Sequence, residues 1–290
     1  MGAQMLTSRY GAELQSFKVD DVEKIHQGDE CRDENGKIFW NRRFEVLFPT
    51  VGKCKQNQTI MNGKNYEMQI NGFAKDLDFE PITKLDNYHS YIFKSKGRLI
   101  EKFPYEFSLI VTYRMNENKL TTKYKVVNES EMDMPFGIGS RPALKIDPVE
   151  LEKGNYYLEF EEDEDKIHFL YLMDGLVATD YAKNIVLINK RQILLNSNTF
   201  KNDALIVKGI KSGKISLKNK NMDKPVFTVD FTGFPFLAIW GKPKSPFICI
   251  EPWMTTPDNV NGSGVFRQKN NILLLPPKQE YECKYSIEFF

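Results

Sequence analysis

The chain is divided into many short apolar runs, and this pattern limits its fold more than any other feature. Residues 107–115, 120–127 and 236–240 are examples, and Gly, Pro, Asn, Asp and Lys separate such runs at the spacing typical of β-sandwiches and barrels. No stretch of twelve residues shows clear helical periodicity, and we expect at most one or two helical turns in residues 22–26 and 172–181. The pattern predicts an all-β fold, a large antiparallel β-sandwich.

Two neighbouring runs predict a hairpin. Residues 107–115 and 120–127 are joined by four polar residues, so we expect them to pair as antiparallel strands. Lys123, Tyr124 and Lys125 alternate polar and apolar character, as in a sheet with one solvated face. Because no Gly/Ser-rich or Pro-rich linker interrupts the chain, we expect residues 1–290 to form a single domain.

The charge balance argues against two classes of partner. Lys and Arg number 40 against 39 Asp and Glu, giving a formal charge of +1. This balance gives no reason to expect nucleic acid or an anionic membrane as a partner. No apolar run is long enough to cross a bilayer, and the first residues lack the pattern of a signal peptide.

The cysteines predict a location rather than a metal site. They are widely spaced, no pair has CxxC spacing, and no histidine lies at ligand spacing from them. Free thiols fit a reducing compartment, so we expect a cytoplasmic protein. The four are Cys31, Cys54, Cys249 and Cys283.

One apolar run ends in a carboxylate. Residues 247–250 are all apolar, and Glu251, Pro252 and Trp253 follow directly. The run predicts a buried strand that ends near Glu251, since proline cannot continue a central sheet ladder. Burial would raise the pKa of Glu251 toward neutral pH and make it a candidate general base, but a glutamate that only accepts backbone hydrogen bonds explains this stretch as well.

Several short motifs occur in order along nearly the whole chain. They are Gly11-Ala12-Glu13-Leu14-Gln15-Ser16, Trp40-Asn41-Arg42-Arg43, Val46-Leu47-Phe48-Pro49-Thr50-Val51-Gly52, Gly72-Phe73-Ala74 with Asp76, Pro142-Ala143, Asp203-Ala204-Leu205-Ile206, Gly233-Phe234-Pro235-Phe236 with Trp240, and Glu251-Pro252-Trp253. As an ordered set they resemble the aldose 1-epimerase (galactose mutarotase-like) family, in particular its LacX-like bacterial branch.

This resemblance implies a β-supersandwich with a sugar-binding cleft and an isomerase that interconverts the α and β anomers of an aldose without a metal or other cofactor. In the family a glutamate takes the proton of the anomeric hydroxyl and a histidine protonates the ring oxygen. A second histidine, an aspartate and an arginine bind the sugar hydroxyls. Glu251 matches the base, Asp203 matches an aspartate that binds sugar hydroxyls, and Arg43 matches the arginine. The expected partner is a monosaccharide; the sequence does not specify an oligomeric state.

The chain departs from the family at both histidine positions. Asn71 stands directly before Gly-Phe-Ala, and Arg141 stands directly before Pro-Ala. An amide does not titrate near neutral pH, and a guanidinium keeps its proton up to a pKa above about 12. Arg141 can donate hydrogen bonds to a ring oxygen but cannot act as an efficient general acid. We therefore expect either a weak or altered mutarotase, or a non-catalytic carbohydrate-binding or sensing protein.

Arg141 admits two interpretations. With Arg43 and Lys75 facing the same cleft it would suit an anionic ligand such as a sugar phosphate, with Arg42 on the opposite face of the strand. Alternatively, Arg141 pairs with Glu251 or Asp203, closes the site and lowers the pKa of the glutamate. Neither reading gives a role to His26, His89 or His168, which we expect to be structural.

Overall fold

Short antiparallel strands build the fold, as the apolar runs predict. The computed structural model describes residues 2–165, 167–185, 187–196, 198–201 and 203–290, without the side chains of residues 179–185. In chain order the strands are β1 (Ala3–Thr7), β2 (Leu14–Val19), β3 (Val22–Glu23), β4 (Phe44–Leu47), β5 (Gln58–Met61), β6 (Lys64–Glu67), β7 (Glu80–Leu85), β8 (Tyr88–Lys94), β9 (Phe107–Asn116), β10 (Lys119–Asn128), β11 (Met134–Phe136), β12 (Gly139–Lys145), β13 (Tyr156–Phe160), β14 (Ile167–Met173), β15 (Leu176–Ile185), β16 (Gln192–Leu194), β17 (Leu205–Lys208), β18 (Lys214–Asn219), β19 (Phe227–Asp230), β20 (Phe236–Trp240), β21 (Phe247–Trp253), β22 (Leu273–Leu275) and β23 (Glu280–Phe289).

Helical structure is confined to short segments in the described residues. One α-helix, α1 (Pro148–Glu152), begins at Asp147, whose carboxylate accepts a hydrogen bond from the backbone N–H of Val149. The remaining segments are 3₁₀ turns: Gly28–Glu30, Lys55–Asn57, Ala74–Asp76 and Phe266–Gln268.

Two large sheets dominate the topology. A nine-stranded sheet has the order β16-β13-β18-β19-β23-β10-β9-β8-β7, and a seven-stranded sheet has the order β15-β14-β17-β20-β21-β12-β4. Neighbouring strands within both sheets pair antiparallel. A three-stranded sheet (β1-β2-β3) and two strand pairs (β5-β6 and β11-β22) complete the fold. The predicted all-β antiparallel sandwich is confirmed.

Aromatic side chains from both large sheets meet in the core. The ring of Phe44 on β4 lies 6.0 Å from that of Tyr113 on β9 and 6.5 Å from that of Tyr285 on β23. All three belong to one cluster of buried apolar residues. Burial of this apolar surface between the sheets is the main force that holds them together. The cluster supports a single domain, which stays a prediction.

Two local expectations have different outcomes. The predicted hairpin is confirmed, since β9 and β10 pair antiparallel from Asn116↔Lys119 onward and β10 alternates buried and half-buried residues. The helical turns that the sequence allowed do not form: residues 22–26 contain β3, and residues 172–181 belong to the hairpin of β14 and β15. Cross-strand pairing overrides the weak local signal there. No helix in the described ranges is long and apolar enough to cross a membrane.

The strand that carries Glu251 does not end there, contrary to our expectation. Strand β21 continues through Pro252 to Trp253, and Pro252 lies opposite Leu237 of β20. On the β12 side, pairing is interrupted between Gly139↔Trp253 and Ala143↔Cys249. The N–H that proline lacks would point toward only one of the two neighbouring strands. The hydrogen-bond ladder between β21 and β20 can therefore continue past Pro252.

Candidate functional site

Three charged side chains lie in one row across the seven-stranded sheet. Arg141 on β12 is paired with Glu45 on β4. On its other side, β12 pairs with β21 at Gly139↔Trp253 and at Ala143↔Cys249. The same register holds at both pairs, so Arg141, midway between them, lies opposite Glu251. Side chains at opposed positions point to the same face of a sheet. The row therefore alternates carboxylate, guanidinium and carboxylate.

This row lies on the face that is turned away from the nine-stranded sheet. Phe44 and Ile250, the strand neighbours of Glu45 and Glu251, belong to the core between the sheets. Successive side chains of a strand alternate between faces, so the two glutamates point outward. They are nevertheless only 5% and 2% exposed, because other side chains cover this face.

The guanidinium of Arg141 contacts four side chains. Its Nε lies 3.5 Å from Oε1 of Glu251, and its Nη1 lies 3.8 Å from Oε2 of Glu45. The guanidinium carbon lies 4.6 Å from the ring centroid of Trp40 and 4.1 Å from that of Trp240. Both rings are within cation–π range. These contacts fix the position of the guanidinium next to Glu251.

Burial controls the protonation of Glu251. It raises the pKa of Glu251 to about 8; the Arg141 guanidinium opposes this rise only in part, while Glu45 adds to it. Trp253 donates from Nε1 to Oε2 of Glu251 at 3.2 Å. Arg141 lowers the pKa of Glu251, as expected for an arginine partner, but burial of the carboxylate has the larger effect, so the net pKa is raised.

The pKa values of the other two charges follow the same balance. Burial raises the pKa of Glu45, against the attraction of Arg141. Burial lowers the pKa of Arg141, but Glu251, Cys249 and Glu45 together outweigh this and the net pKa is raised. Arg141 therefore stays a cation and cannot release a proton at any physiological pH.

Arg141 and Glu251 line a cleft of about 310 Å³. This volume lies in the range of small-molecule sites. Asn71 and Asp203 line the same cleft, so the structure brings together four of the five predicted site residues. The pairing of Arg141 with Glu251 does not close it.

A tight backbone contact positions Asn71. Its Oδ1 accepts the backbone N–H of Gly52 at 2.8 Å, and its own N–H donates to the carbonyl of Gly52 at 3.0 Å. The next residue, Gly72, has φ +69°, and a Cβ there would lie 2.1 Å from the carbonyl oxygen of Phe48. Only glycine fits such an approach, so the Gly-Phe-Ala motif fixes Asn71 at the cleft wall.

Other cleft residues come from the opposite wall and the mouth. Asp203, with φ +76°, lies two residues before β17, and its Oδ1 accepts the N–H of Ala204 at 2.8 Å. At the mouth, Nζ of Lys53 lies 3.0 Å from the carboxylate of Asp174. Trp253 lines the cleft next to Glu251.

Arg43 is the predicted site residue that does not reach the cleft. Its Nη2 donates to the carbonyl of Gln27 at 3.2 Å. Arg42 instead approaches the charged row, with Nε 3.8 Å from Oε1 of Glu45 and Nη2 2.5 Å from Oδ1 of Asp76. The two arginines precede β4, which starts at Phe44, so strand alternation does not govern their directions.

Lys75 also lies away from the cleft, contrary to our expectation. Its Nζ donates to the carbonyls of Ile70 and Gly72 at 2.8 and 2.6 Å. The cations that line the described part of the cleft are Arg141 and Lys53, and each is paired with a carboxylate.

The histidines lie outside the lining of the cleft. His26 is buried behind Trp40 and hydrogen-bonds its carbonyl at 2.9 Å, and His89 is buried against the hydroxyl of Thr7 at 2.7 Å. Within the described residues, no three His, Cys, Asp or Glu side chains lie close enough together to hold a metal ion.

Sequence reasoning missed Glu45 and the tryptophan pair around Arg141. Glu45 was detectable, since a carboxylate inside the apolar run of residues 44–48 is an unusual buried charge. The pairing of Trp40 with Trp240 was not, because these rings meet across 200 residues of chain and lie 5.8 Å apart only in the folded protein.

Comparisons with known proteins find a matching family model and two related proteins. A family model described as Aldose 1-epimerase matches residues 1–263. The chain is 28% identical over 287 residues to the chromosomal Protein LacX of Lactococcus lactis subsp. lactis, covering 96% of this chain and 93% of that protein. The plasmid-encoded Protein LacX of the same organism matches equally.

Two crystal structures share the fold closely. A galactose mutarotase related enzyme from Lactobacillus acidophilus has a TM-score of 0.89 at 27% identity, covering 99% of this chain and 94% of that one. A galactose mutarotase-like protein from Lactobacillus casei has a TM-score of 0.85 at 27% identity, with full coverage of both chains.

Proposed function

Because this chain belongs to the aldose 1-epimerase family, we propose that it binds a free aldose in the cleft and interconverts its α and β anomers, with Glu251 as the proton-transfer residue. The observation that carries the proposal is the state of Glu251: a buried carboxyl with a pKa of about 8, in an open cleft, next to a fixed guanidinium. A group that transfers protons works best when its pKa lies near the working pH.

The proposed chemistry needs no second titrating group. The Glu251 carboxylate takes the proton from the O1 hydroxyl, C1 and O1 form a carbonyl, and the C1–O5 bond breaks. Arg141 stabilises the negative charge that develops on O5, and the carboxyl of Glu251 then returns the proton to O5. After rotation about C1–C2 the same steps run in reverse, so one proton moves between O1 and O5 through one carboxyl.

This mechanism predicts slow turnover. A positioned general acid contributes about 10²–10⁴-fold to a reaction of this kind. Arg141 supplies charge and hydrogen bonds to O5 but no proton, and Glu251 must serve O1 and O5 in turn, so the chain lacks the contribution of a separate acid positioned at O5. We expect a measurable enhancement that falls well below that of a family member with both histidines.

The charges around the cleft favour a neutral sugar over a sugar phosphate. In the part of the chain that the structure describes, the lining cations Arg141 and Lys53 are matched by Glu251 and Asp174, and Asp203 adds a further carboxylate. A phosphate would have to displace these pairings. The free cysteines support a reducing, cytoplasmic location as part of this proposal.

The ion pair between Arg141 and Glu251 also favours a second candidate, a carbohydrate-binding or sensing protein without catalysis. In that case the guanidinium engages the carboxylate permanently and the cleft only binds sugar. The two functions differ in whether bound sugar changes its anomeric form.

Polarimetry on freshly dissolved α-D-glucose and α-D-galactose separates these functions. The proposal predicts a faster approach to anomeric equilibrium in proportion to protein concentration. Calorimetry on the same sugars gives the second readout. Binding without acceleration identifies the sensing protein, and no binding of any tested aldose rejects both functions.

A further inference from the structure

Glu45 is a buried carboxylate that does not line the cleft and has no role in the proton path above. It sits on β4 between Phe44 and Val46, both fully buried in the core, and is itself 5% exposed. An isolated charge at such a position is strongly unfavourable. Its carboxylate contacts two guanidinium groups, with Oε2 3.8 Å from Arg141 and Oε1 3.8 Å from Arg42.

We propose that Glu45 is a positioning residue, which anchors the guanidinium of Arg141 and divides its charge so that Glu251 can both accept and release a proton near neutral pH. The proposal rests on the function proposed above only for the role of Glu251. The geometry itself requires no substrate.

The first step is the shared guanidinium. Arg141 has its Nε toward Glu251 and its Nη1 toward Glu45, at 3.5 and 3.8 Å. Both separations are longer than those of a charge-assisted hydrogen bond, which spans about 2.7–2.9 Å. An arginine drawn toward one carboxylate alone could close that gap. The long contact to Glu251 is therefore consistent with a balance between two opposing carboxylates.

The second step is the constraint on the guanidinium plane. Trp40 and Trp240 lie at 4.6 and 4.1 Å from the Arg141 guanidinium carbon. The two rings therefore bound the guanidinium from two directions, and the two glutamates attract it along the row. Loss of Glu45 removes the pull on one side, so we expect Arg141 to move toward Glu251.

The third step is the charge environment of Glu251. Arg141 on β12 lowers its pKa, while Glu45 on β4 and Asp203, which precedes β17, raise it against the background of burial. Cys249 lies two residues earlier on the same strand, and its thiol pKa is raised well above the ordinary value by burial. A thiol in that state is neutral and adds no charge.

The charges around Glu45 complete this account. Burial raises the pKa of Glu45, whereas Arg141, Lys75 and Arg42 lower it and Glu13 raises it. Glu13 holds the start of β4 in place, since its Oε1 accepts the backbone N–H of Phe44 at 3.1 Å. Three cations therefore oppose the effect of burial on Glu45, and the net pKa of Glu45 is still raised.

The test is a titration of Glu251 that needs no activity. Carboxyl carbons of ¹³C-labelled glutamate are followed by NMR against pH in the intact protein, and the Glu251 signal is assigned by its loss in Glu251→Gln. In Glu45→Gln, the negative charge near Glu251 at residue 45 is removed. Arg141 then interacts with the carboxylate of Glu251 alone. We expect its titration midpoint to fall by about one pH unit.

Asp76→Asn is the matched control. Asp76 binds Arg42 at 2.5 Å and is the next carboxylate beyond Glu45, without contact to Arg141. The proposal predicts a smaller shift in this variant than in Glu45→Gln. Glu45→Met provides a second neutral side chain if the glutamine variant does not fold, because an apolar residue of similar volume can replace a buried charge.

An unchanged midpoint in Glu45→Gln or Glu45→Met, or an equal shift in Asp76→Asn, overturns the proposal. A shift in a protein that does not accelerate mutarotation leaves the positioning role intact and removes only the function proposed above. If the protein is active, the midpoint of its pH–rate profile should move with the NMR midpoint, which a purely structural role for Glu45 would not produce.

Discussion

Arg141 and Glu251 lie across from each other on adjacent antiparallel strands, with Nε and Oε1 3.5 Å apart, yet the pKa of Glu251 is raised rather than lowered. Burial therefore outweighs the attraction of one cation. The sequence allowed either direction, a pKa raised by burial or a pKa lowered by Arg141, and burial has the larger effect. A carboxyl with a pKa of about 8 is partly ionised near neutral pH, so it can both take and return a proton.

Restoration of both histidines should raise the mutarotation rate. In Asn71→His with Arg141→His, a histidine, which titrates near neutral pH, stands at each of the two positions that match a histidine of the family. We expect an increase of about 10²-fold or more, the contribution of a positioned general acid. Asn71 has φ +65°, a conformation in which histidine is tolerated better than most residues.

The two single variants serve as controls for that experiment. Asn71→His loses the Oδ1 contact to the N–H of Gly52, so unfolding is measured alongside the rate. If the double variant folds and binds sugar without turning over faster, the assignment of Asn71 and Arg141 to the two histidine positions is wrong.

The raised pKa of Glu251 predicts a pH-dependent stability. Its pKa is about 8 in the folded protein against 4.5 for the ordinary group. Between these values the folded state holds more protons than the unfolded state, so the free energy of unfolding decreases as pH rises from about 4.5 to about 8. The loss from this group is on the order of 5 kcal/mol, because each pKa unit corresponds to about 1.4 kcal/mol, and it is complete above the pKa of the folded state.

Chemical denaturation at several pH values measures this slope. In Glu251→Gln the carboxyl no longer titrates, so the decrease between about pH 5 and pH 8 should shrink. A slope identical to that of the unaltered protein would place the responsible group elsewhere.

The paired cations of the cleft predict selectivity for neutral sugars. Calorimetry should give glucose an affinity equal to or higher than that of glucose 6-phosphate, because Arg141 and Lys53 are already matched by carboxylates. In Asp174→Asn, Lys53 loses its partner, and the relative affinity for the phosphate should increase. If the unaltered protein prefers glucose 6-phosphate by about tenfold or more, the cleft cations are not neutralised by their carboxylates. The natural ligand would then be an anionic sugar.

Much of the fold was predictable because its signals are local. Alternation in β10 and the polar connection before it specify a hairpin without reference to the rest of the chain. The strand end at Pro252 was misjudged for the opposite reason. Whether a proline interrupts a sheet depends on which neighbour its missing N–H faces, and strand order in space settles that.

The site residues also differ in how far the sequence predicts them. Glu251, Asp203 and Asn71 follow from motifs whose order matches a family, and the structure brings them to one cleft. Arg43 was assigned from the family's motif, and strand alternation put Arg42 on the opposite face. Strand β4 starts after both residues, and the arginine that approaches the charged row is Arg42. The sign of the pKa shift of Glu251 depends on burial and was open in the sequence.

The most direct test of the central claim compares the protein with Glu251→Gln in NMR exchange between the anomers of D-glucose and D-galactose across pH. We expect the unaltered protein to accelerate exchange, with the rate changing around an apparent pKa of about 8, and the variant to fold and bind sugar while losing the acceleration. Equal acceleration by both proteins would show that Glu251 does not transfer the proton and would contradict the account.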